Sequence, residues 1–356
     1  MLDRLRQILE EKEIDAIIIQ NLRDPLIDKN FFRYTKFISG IFENSYLVID
    51  KESITVYTSP LEYETAKSQA EFEVVEIKNK NEYLNILKSK GYRKLGLNLD
   101  FLPYNVVKNM YNEFEIVDIS KELNELREIK EEWEIERIQK AVRITEKALE
   151  KIYELEIRNM TEKEIRAEIE YYALKFGGEG FSFNTIVAFD KNAADPHYST
   201  GHRDKKGEKV LLIDIGVYYR KYTSDITRTF ILDKTDKELK EVYETCLEAQ
   251  LKAFDEIREG VIAEDVDKVA REIIESKYGR FIHSLGHMIG LDVHDSSKRL
   301  APNQKFKLKE NMVFTNEPGI YIRGKFGVRI EDDVVVKKGK ALNLVKFPKE
   351  FDEVCI

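Results

Sequence analysis

Cysteine is scarce in this chain of 356 residues: there are two, Cys246 and Cys355, and they form no CxxC pair. That argues against an oxidising compartment and for the cytoplasm. Long apolar runs are missing as well. No stretch approaches the ~20 apolar residues of a membrane span. Met1 to Glu11 mixes charges with a helical period and lacks the apolar core of a signal peptide. Positive charge is in deficit, with 58 Lys and Arg against 66 Asp and Glu, a formal net charge of −8. A general nucleic-acid or anionic-membrane binder is thereby disfavoured. Histidine is confined: all five, His197, His202, His283, His287 and His294, fall in one segment of the chain. What remains is ordinary for a globular protein: 42% hydrophobic and 35% charged residues, in a chain long enough for two domains.

The first part alternates short elements. Helices are expected at Leu2 to Glu13, Glu62 to Gln69, Glu82 to Ser89 and Tyr104 to Tyr111. Strands are expected at Ala16 to Ile19, Val74 to Ile77, Leu95 to Asn98 and Glu115 to Ile119, with a hairpin Tyr46 to Ile49 and Ile54 to Tyr57. Asn21 to Gly40 reads as loop. This is the pattern of an α/β domain with a mixed sheet. Ser120 to Lys140 is densely charged and helical by period, and the domain boundary is placed within it, giving domains 1–125 and 126–356. Helices Glu131 to Leu155 and Thr161 to Phe176 follow, the second with a capping box of Thr161 and Glu164. A hairpin, two further helices (Lys237 to Ile257 and Glu264 to Lys277) and a second hairpin complete the chain. Helices then hairpin, twice over, predicts an α+β domain duplicated about a pseudo-two-fold axis.

The two hairpins carry the chemistry. Folding Leu211 to Phe230 about Tyr219/Arg220 sets Asp214 opposite Asp225. Folding Glu317 to Glu331 about Gly324, which suits a three-residue loop, sets Glu317 opposite Glu331. Directly opposed carboxylates sit ~5 Å apart and repel, so each pair asks for a cation. His287, in Gly286-His287-Met288-Ile289-Gly290, has glycines that permit close backbone approach to a crowded centre. Two Asp, two Glu and one His carry a charge near −4, which two divalent ions match and one does not. An oxygen-rich set with one imidazole suits Mn or Co, with Fe(II) or Zn as further options, and disfavours a structural zinc site.

These stretches resemble a known family. Ile213-Asp214-Ile215-Gly216, Ser224-Asp225-Ile226-Thr227-Arg228-Thr229, His283-Ser284-Leu285-Gly286-His287, Asn316-Glu317-Pro318-Gly319-Ile320-Tyr321 and Val328-Arg329-Ile330-Glu331-Asp332 are similar to the ligand motifs of the pita-bread metallopeptidases. Within them the chain resembles the proline-specific branch, prolidases (Xaa-Pro dipeptidases) and aminopeptidases P. The resemblance extends to the α/β N-terminal domain. It implies a peptidase with two divalent ions per subunit that hydrolyses the Xaa-Pro bond of dipeptides, or alternatively of longer peptides. It also implies a homodimer, while the net charge and the lack of long apolar runs leave no nucleic-acid or membrane partner expected. By matched position, Asp214, Asp225, His287, Glu317 and Glu331 would bind metal, with Asp225 and Glu331 bridging. Glu317 would also be the general acid/base. His197 and His294 would contact substrate and the developing oxyanion, and Arg329 would hold a carboxylate or orient a neighbour.

The chain departs from the branch in places. Met288 follows His287 where glycine is usual. His294 is followed by Asp295-Ser296-Ser297 rather than by Glu with a nearby Pro, so the arginine that holds a dipeptide's carboxylate in prolidases could match Lys298 or Arg299. Gly290-Leu291-Asp292-Val293-His294-Asp295 is closer to aminopeptidases P. Methionine aminopeptidase shares the ligands but leaves the N-terminal domain unexplained. A creatinase-like or purely peptide-binding protein would have no reason to keep opposed carboxylates. His202 reads as a surface loop residue, and His283 is equally a core or a catalytic histidine.

Overall fold

The computed structural model describes residues 2–356. It divides into two compact units, one ending at Leu126 and one running Arg127–Ile356. The first unit is built on six strands: β1 (Ala16–Gln20), β2 (Tyr46–Ile49), β3 (Ile54–Thr58), β4 (Glu73–Glu76), β5 (Lys94–Leu97) and β6 (Glu115–Asp118). Their order is β4-β3-β2-β1-β5-β6, and only β2 runs against the others. Alternate residues of β1 enter two apolar layers, Ile17 and Ile19 on one face, Ala16 and Ile18 on the other. Burial on both faces is why this strand reads as a continuous apolar run. Helices α1 (Leu2–Glu11), α2 (Asn30–Thr35), α3 (Pro60–Lys67), α4 (Lys80–Ser89) and α5 (Tyr104–Met110) complete the layers. Helix α2 corrects the expectation of loop from Asn21 to Gly40. Six residues are too few for a periodic signal; tertiary packing holds this helix. Its Phe31 lies 5.8 Å from Phe32, 6.1 Å from Phe37 and 5.5 Å from Phe42, centroid to centroid.

One charged helical run was expected across Ser120 to Lys140, and the structure breaks it into α6 (Ser120–Glu128) and α7 (Glu132–Glu150). At the break the Lys130 amide donates to the Asn311 carbonyl (3.0 Å). Helix α8 (Glu162–Lys175) carries the expected capping box: the Thr161 amide donates to Glu164 Oε2 at 2.8 Å, and the Glu164 amide returns to Thr161 Oγ1.

Strands β7 (Ile186–Phe189), β8 (Val210–Ile215) and β11 (Ile226–Ile231) form a sheet ordered β11-β8-β7. Strands β9 (Tyr218–Tyr219) and β10 (Tyr222–Thr223) form the tip of the first hairpin. Here the register differs from expectation: Asp214 faces Thr227, not Asp225. The turn is Arg220-Lys221, with φ of 48° and 72°. Both central residues are left-handed without a glycine to announce it, so the centre of the hairpin was misplaced. The partner shift is two residues, and side chains alternate with period two. Asp225 therefore remains on the face of Asp214, diagonal to it instead of opposite.

After α9 (Lys237–Glu256) and α10 (Ala263–Tyr278) come short strands β12 (Gly286–His287) and β13 (Arg299–Leu300), then β14 (Val313–Asn316), β15 (Gly319–Ile322), β16 (Phe326–Arg329), β17 (Asp332–Val335) and β18 (Leu342–Asn343). The second hairpin has the expected register, Ile322 facing Phe326 and Gly319 facing Arg329 around Gly324 at φ 80°. The same register continues through β14 and β17, where Asn316 faces Asp332. The order of two helices followed by a hairpin is thus repeated, α7–α8 and then α9–α10. One continuous apolar core underlies both halves.

Candidate active site

The side chains gathered by this register line one cavity of about 420 Å³. Asp214 is the penultimate residue of β8, Asp225 precedes β11, and Glu317 and Glu331 flank the ribbon of β15 and β16. Asp225, His287 and Glu331 each present a donor atom within 4.8 Å of the others. His287 Nε2 lies 3.5 Å from Asp225 Oδ2 and 3.6 Å from Glu317 Oε1. Strand β12 brings His287 this close because Gly286 has no side chain: a Cβ there would lie 1.9 Å from the Thr315 carbonyl oxygen. The Thr315 hydroxyl accepts from the His287 amide (3.0 Å) and donates to Glu317 (3.3 Å), linking the two residues.

Electrostatically the cluster is over-charged. Four carboxylates, from Asp214, Asp225, Glu317 and Glu331, share the cavity with one buried cation, Arg329. Burial and then the negative charges of Glu331 and Asp214 push Asp225 well above its ordinary range. Glu331 is driven up by burial, Glu317 and Asp214. Burial lifts Glu317 to about 8, with Arg329 opposing and Asp214 adding. Burial, reinforced by His294, lowers His287 to about 3, so its imidazole is neutral. Its Nδ1 faces the Met288 carbonyl at 3.4 Å, which leaves Nε2 as a lone pair aimed at the carboxylates. Asp214 Oδ1 is buried and has no hydrogen-bond partner among the described residues. One orphaned oxygen, repelling carboxylates and an unprotonated imidazole are what divalent cations neutralise, and these residues fit such ions.

Arg329 is buried, and its guanidinium is engaged by the protein: Asp214 Oδ2 at 2.6 Å, Thr227 Oγ1 at 3.1 Å, the Tyr321 hydroxyl at 2.9 Å and the Pro196 carbonyl at 3.4 Å. Thr227 in turn donates to Glu331 Oε2 at 2.6 Å. The sequence reading passed over Tyr321, whose hydroxyl lies between Arg329 and His283 Nε2 (3.0 Å). Strand alternation held the signal, since Tyr321 is four residues from Glu317 and shares its face. His197 and His294 line the same cavity as exposed side chains, with the His294 ring 4.3 Å from that of His287. His202 lies apart, exposed in a loop. Of the two basic candidates after His294, Arg299 lines the cavity, and in β13 it faces His287. Lys298 turns away to Glu128, at 2.6 Å.

Comparisons with known proteins place the chain in a family. Residues 136–338 match the model of metallopeptidase family M24, and residues 1–129 match the creatinase/prolidase N-terminal domain. The chain belongs to metallopeptidase family M24. It is 36% identical over 355 residues to the Xaa-Pro dipeptidase of Pyrococcus furiosus, covering 98% of each chain. Its structure is similar to that of the X-Pro aminopeptidase from Thermotoga maritima, with a TM-score of 0.91 at 33% identity, covering 100% of this chain and 99% of the other. The prolidase from Pyrococcus horikoshii follows at a TM-score of 0.87 and 34% identity, covering 98% and 99%. This member of the family is therefore a metallopeptidase with a creatinase-type N-terminal domain joined to a pita-bread catalytic domain. No helix of the described residues is long and apolar enough to cross a membrane.

Proposed function

We propose that this metallopeptidase hydrolyses Xaa-Pro dipeptides at the imide bond. The observation that carries the reading is Arg299: a guanidinium lines the cavity beside the ligand cluster, where it suits the terminal carboxylate of a dipeptide. Asp214, Asp225, His287, Glu317 and Glu331 would hold two divalent ions, manganese or cobalt in preference to iron(II) or zinc, and Asp225 and Glu331 are the ligands that would serve both. When bound, the ions supply Lewis acidity, lowering the pKa of water and polarising the scissile carbonyl.

The chain's own residues do the rest. Glu317 takes a proton from the attacking water and returns it to the leaving nitrogen, a role supported by its carboxylate lining the cavity 3.6 Å from His287 Nε2. His197 and His294, at the cavity wall, contact the substrate and the oxygen that gains negative charge. Arg329 commits four of its five guanidinium N–H groups to protein partners, which supports a role in orienting Asp214 and Tyr321 over one in holding substrate. The prolyl nitrogen has no N–H and fixes the local backbone, so the pocket must accept a bent, donor-less residue. The enzyme is taken to act in the cytoplasm as a homodimer; the two unpaired cysteines support the compartment.

The similarity to an X-Pro aminopeptidase supports a second reading, release of the first residue from longer Xaa-Pro peptides. Steady-state rates on Xaa-Pro, Xaa-Pro-amide and Xaa-Pro-Yaa, with manganese and with cobalt, separate the two. The dipeptide is expected to be preferred over its amide by roughly tenfold or more, the worth of one charge-assisted pair, and Arg299→Ala should erase the preference. A preference for Xaa-Pro-Yaa in the wild-type protein selects the second reading.

A further inference from the structure

The His294 side chain is exposed, held by one ring contact, to His287 at 4.3 Å centroid to centroid, and by no hydrogen bond among the described residues. Its position therefore depends mainly on its backbone, and the residue after it is held very firmly. The Asp295 carboxylate is 2% exposed; Oδ2 accepts from Lys130 Nζ at 3.0 Å, and Oδ1 accepts from Arg127 and from the Asp292 amide at 3.1 Å. The Asp295 amide donates to the Met288 carbonyl (2.9 Å), one residue past His287. Arg127 also grips Asp292 at 2.7 Å. Beyond His294, Glu128 takes Lys298 at 2.6 Å, immediately before Arg299. The segment Arg127–Lys130 thus clasps both sides of the stretch that carries His294 and Arg299.

We infer that Asp295, held by Arg127 and Lys130, is a positioning residue that fixes His294 over the scissile bond. The inference rests on His294 being a substrate contact. It adds the device that places it. The packing leaves Asp295 little freedom. A Cβ on Gly290 would lie 2.4 Å from Asp295 Oδ2 and 3.0 Å from Lys130 Cε, so this site needs glycine for the carboxylate to be seated. Burial opposes the charge on Asp295, yet Arg127 and Lys130 outweigh it and hold the carboxyl at about 2. The anion is therefore present throughout the working pH range. A neutral asparagine keeps the shape but loses the negative charge, and its amide nitrogen cannot accept from one of the two cations, which frees the stretch to shift.

The test is a double-mutant cycle of Asp295→Asn with His294→Ala, read as kcat/KM on Xaa-Pro, with metal content and circular dichroism measured on every variant. If Asp295 acts through His294, Asp295→Asn costs roughly tenfold in the wild-type background and less than about twofold in the His294→Ala background. Metal content stays at the wild-type level. Gly290→Ala, which presses on the same carboxylate, should reproduce the non-additive loss and serves if Asp295→Asn yields no folded protein. An equal loss in both backgrounds, or a fall in metal content with Asp295→Asn, overturns the positioning role while leaving the reading of His294 intact. If His294→Ala alone leaves kcat/KM unchanged, the substrate role of His294 falls, and this inference falls with it.

Discussion

Glu331 and Asp332 are neighbours in the chain, both acidic and both buried, and they meet opposite fates. Asp332 turns to a site that answers its charge: Oδ1 accepts from Arg228 at 2.7 Å, and Oδ2 accepts from Gln250, Asn343 and Lys349 at 2.7, 2.7 and 2.6 Å. Burial opposes its ionisation, but Arg228 and Lys349 prevail and hold it at about 2. Glu331 turns to the cavity, where burial, Glu317 and Asp214 drive it the other way. Their partners on β11 are neighbours too, Thr227 serving Glu331 and Arg228 serving Asp332. Strand alternation sends successive residues to opposite faces, so one ribbon builds a satisfied ion cluster and an over-charged centre back to back. The difference separates what acidic residues do for the fold from what they do for the reaction.

Breaking the over-charged side should cost the most in rate. Asp225→Asn with excess metal is expected to lose at least about a thousandfold in turnover on Xaa-Pro, about 4 kcal/mol of barrier. The first unit should remain folded by circular dichroism. Substantial activity in that variant would contradict a bridging role for Asp225.

Breaking the satisfied side should cost stability. Arg228→Met leaves Asp332 buried beside a single cation, and a loss of about 3–5 kcal/mol is expected in urea unfolding. A loss below about 1 kcal/mol would show that Lys349, Gln250 and Asn343 suffice.

Removing the metal sharpens the contrast. In the chelated protein Asp225, Glu317 and Glu331 bind protons more tightly folded than unfolded, where carboxyls titrate near ~4. The folded state then holds the extra protons, so stability falls as pH rises from ~4 through about 8, the value for Glu317. Asp332 has the opposite sign: its contribution is complete above ~4 and is lost only as pH falls toward about 2. Melting of the chelated protein should therefore drop by several degrees between pH 5.5 and pH 8, by roughly the shift that one kcal/mol or more produces, and excess manganese should abolish the drop. A flat melting profile without metal would show that the carboxylates do not repel as placed.

Much of the centre was legible because its cues are local. Gly324 marks the turn that pairs Glu317 with Glu331, and the histidines crowd one segment. The first hairpin shows the limit. Arg220 and Lys221 adopt left-handed backbone with no residue-type signal, so the register slipped, and only the two-residue period kept Asp214 and Asp225 on one face. Helix α2 was unreadable for a related reason, being a six-residue element that packing alone sustains.

By itself the chain determined which residues are chemically able to meet: hard oxygen donors and one imidazole, spaced at intervals that strand periodicity turns toward a common side. Folding over long separations decided the assignments that periodicity leaves open. It chose Arg299 over Lys298 for the cavity, gave Arg329 to Asp214 and Tyr321, and tied Arg127 and Lys130 to Asp295 across more than 160 positions. Such choices depend on which charge has its partner within a few ångströms once water is excluded. That distance is a property of the packed molecule and of no local stretch.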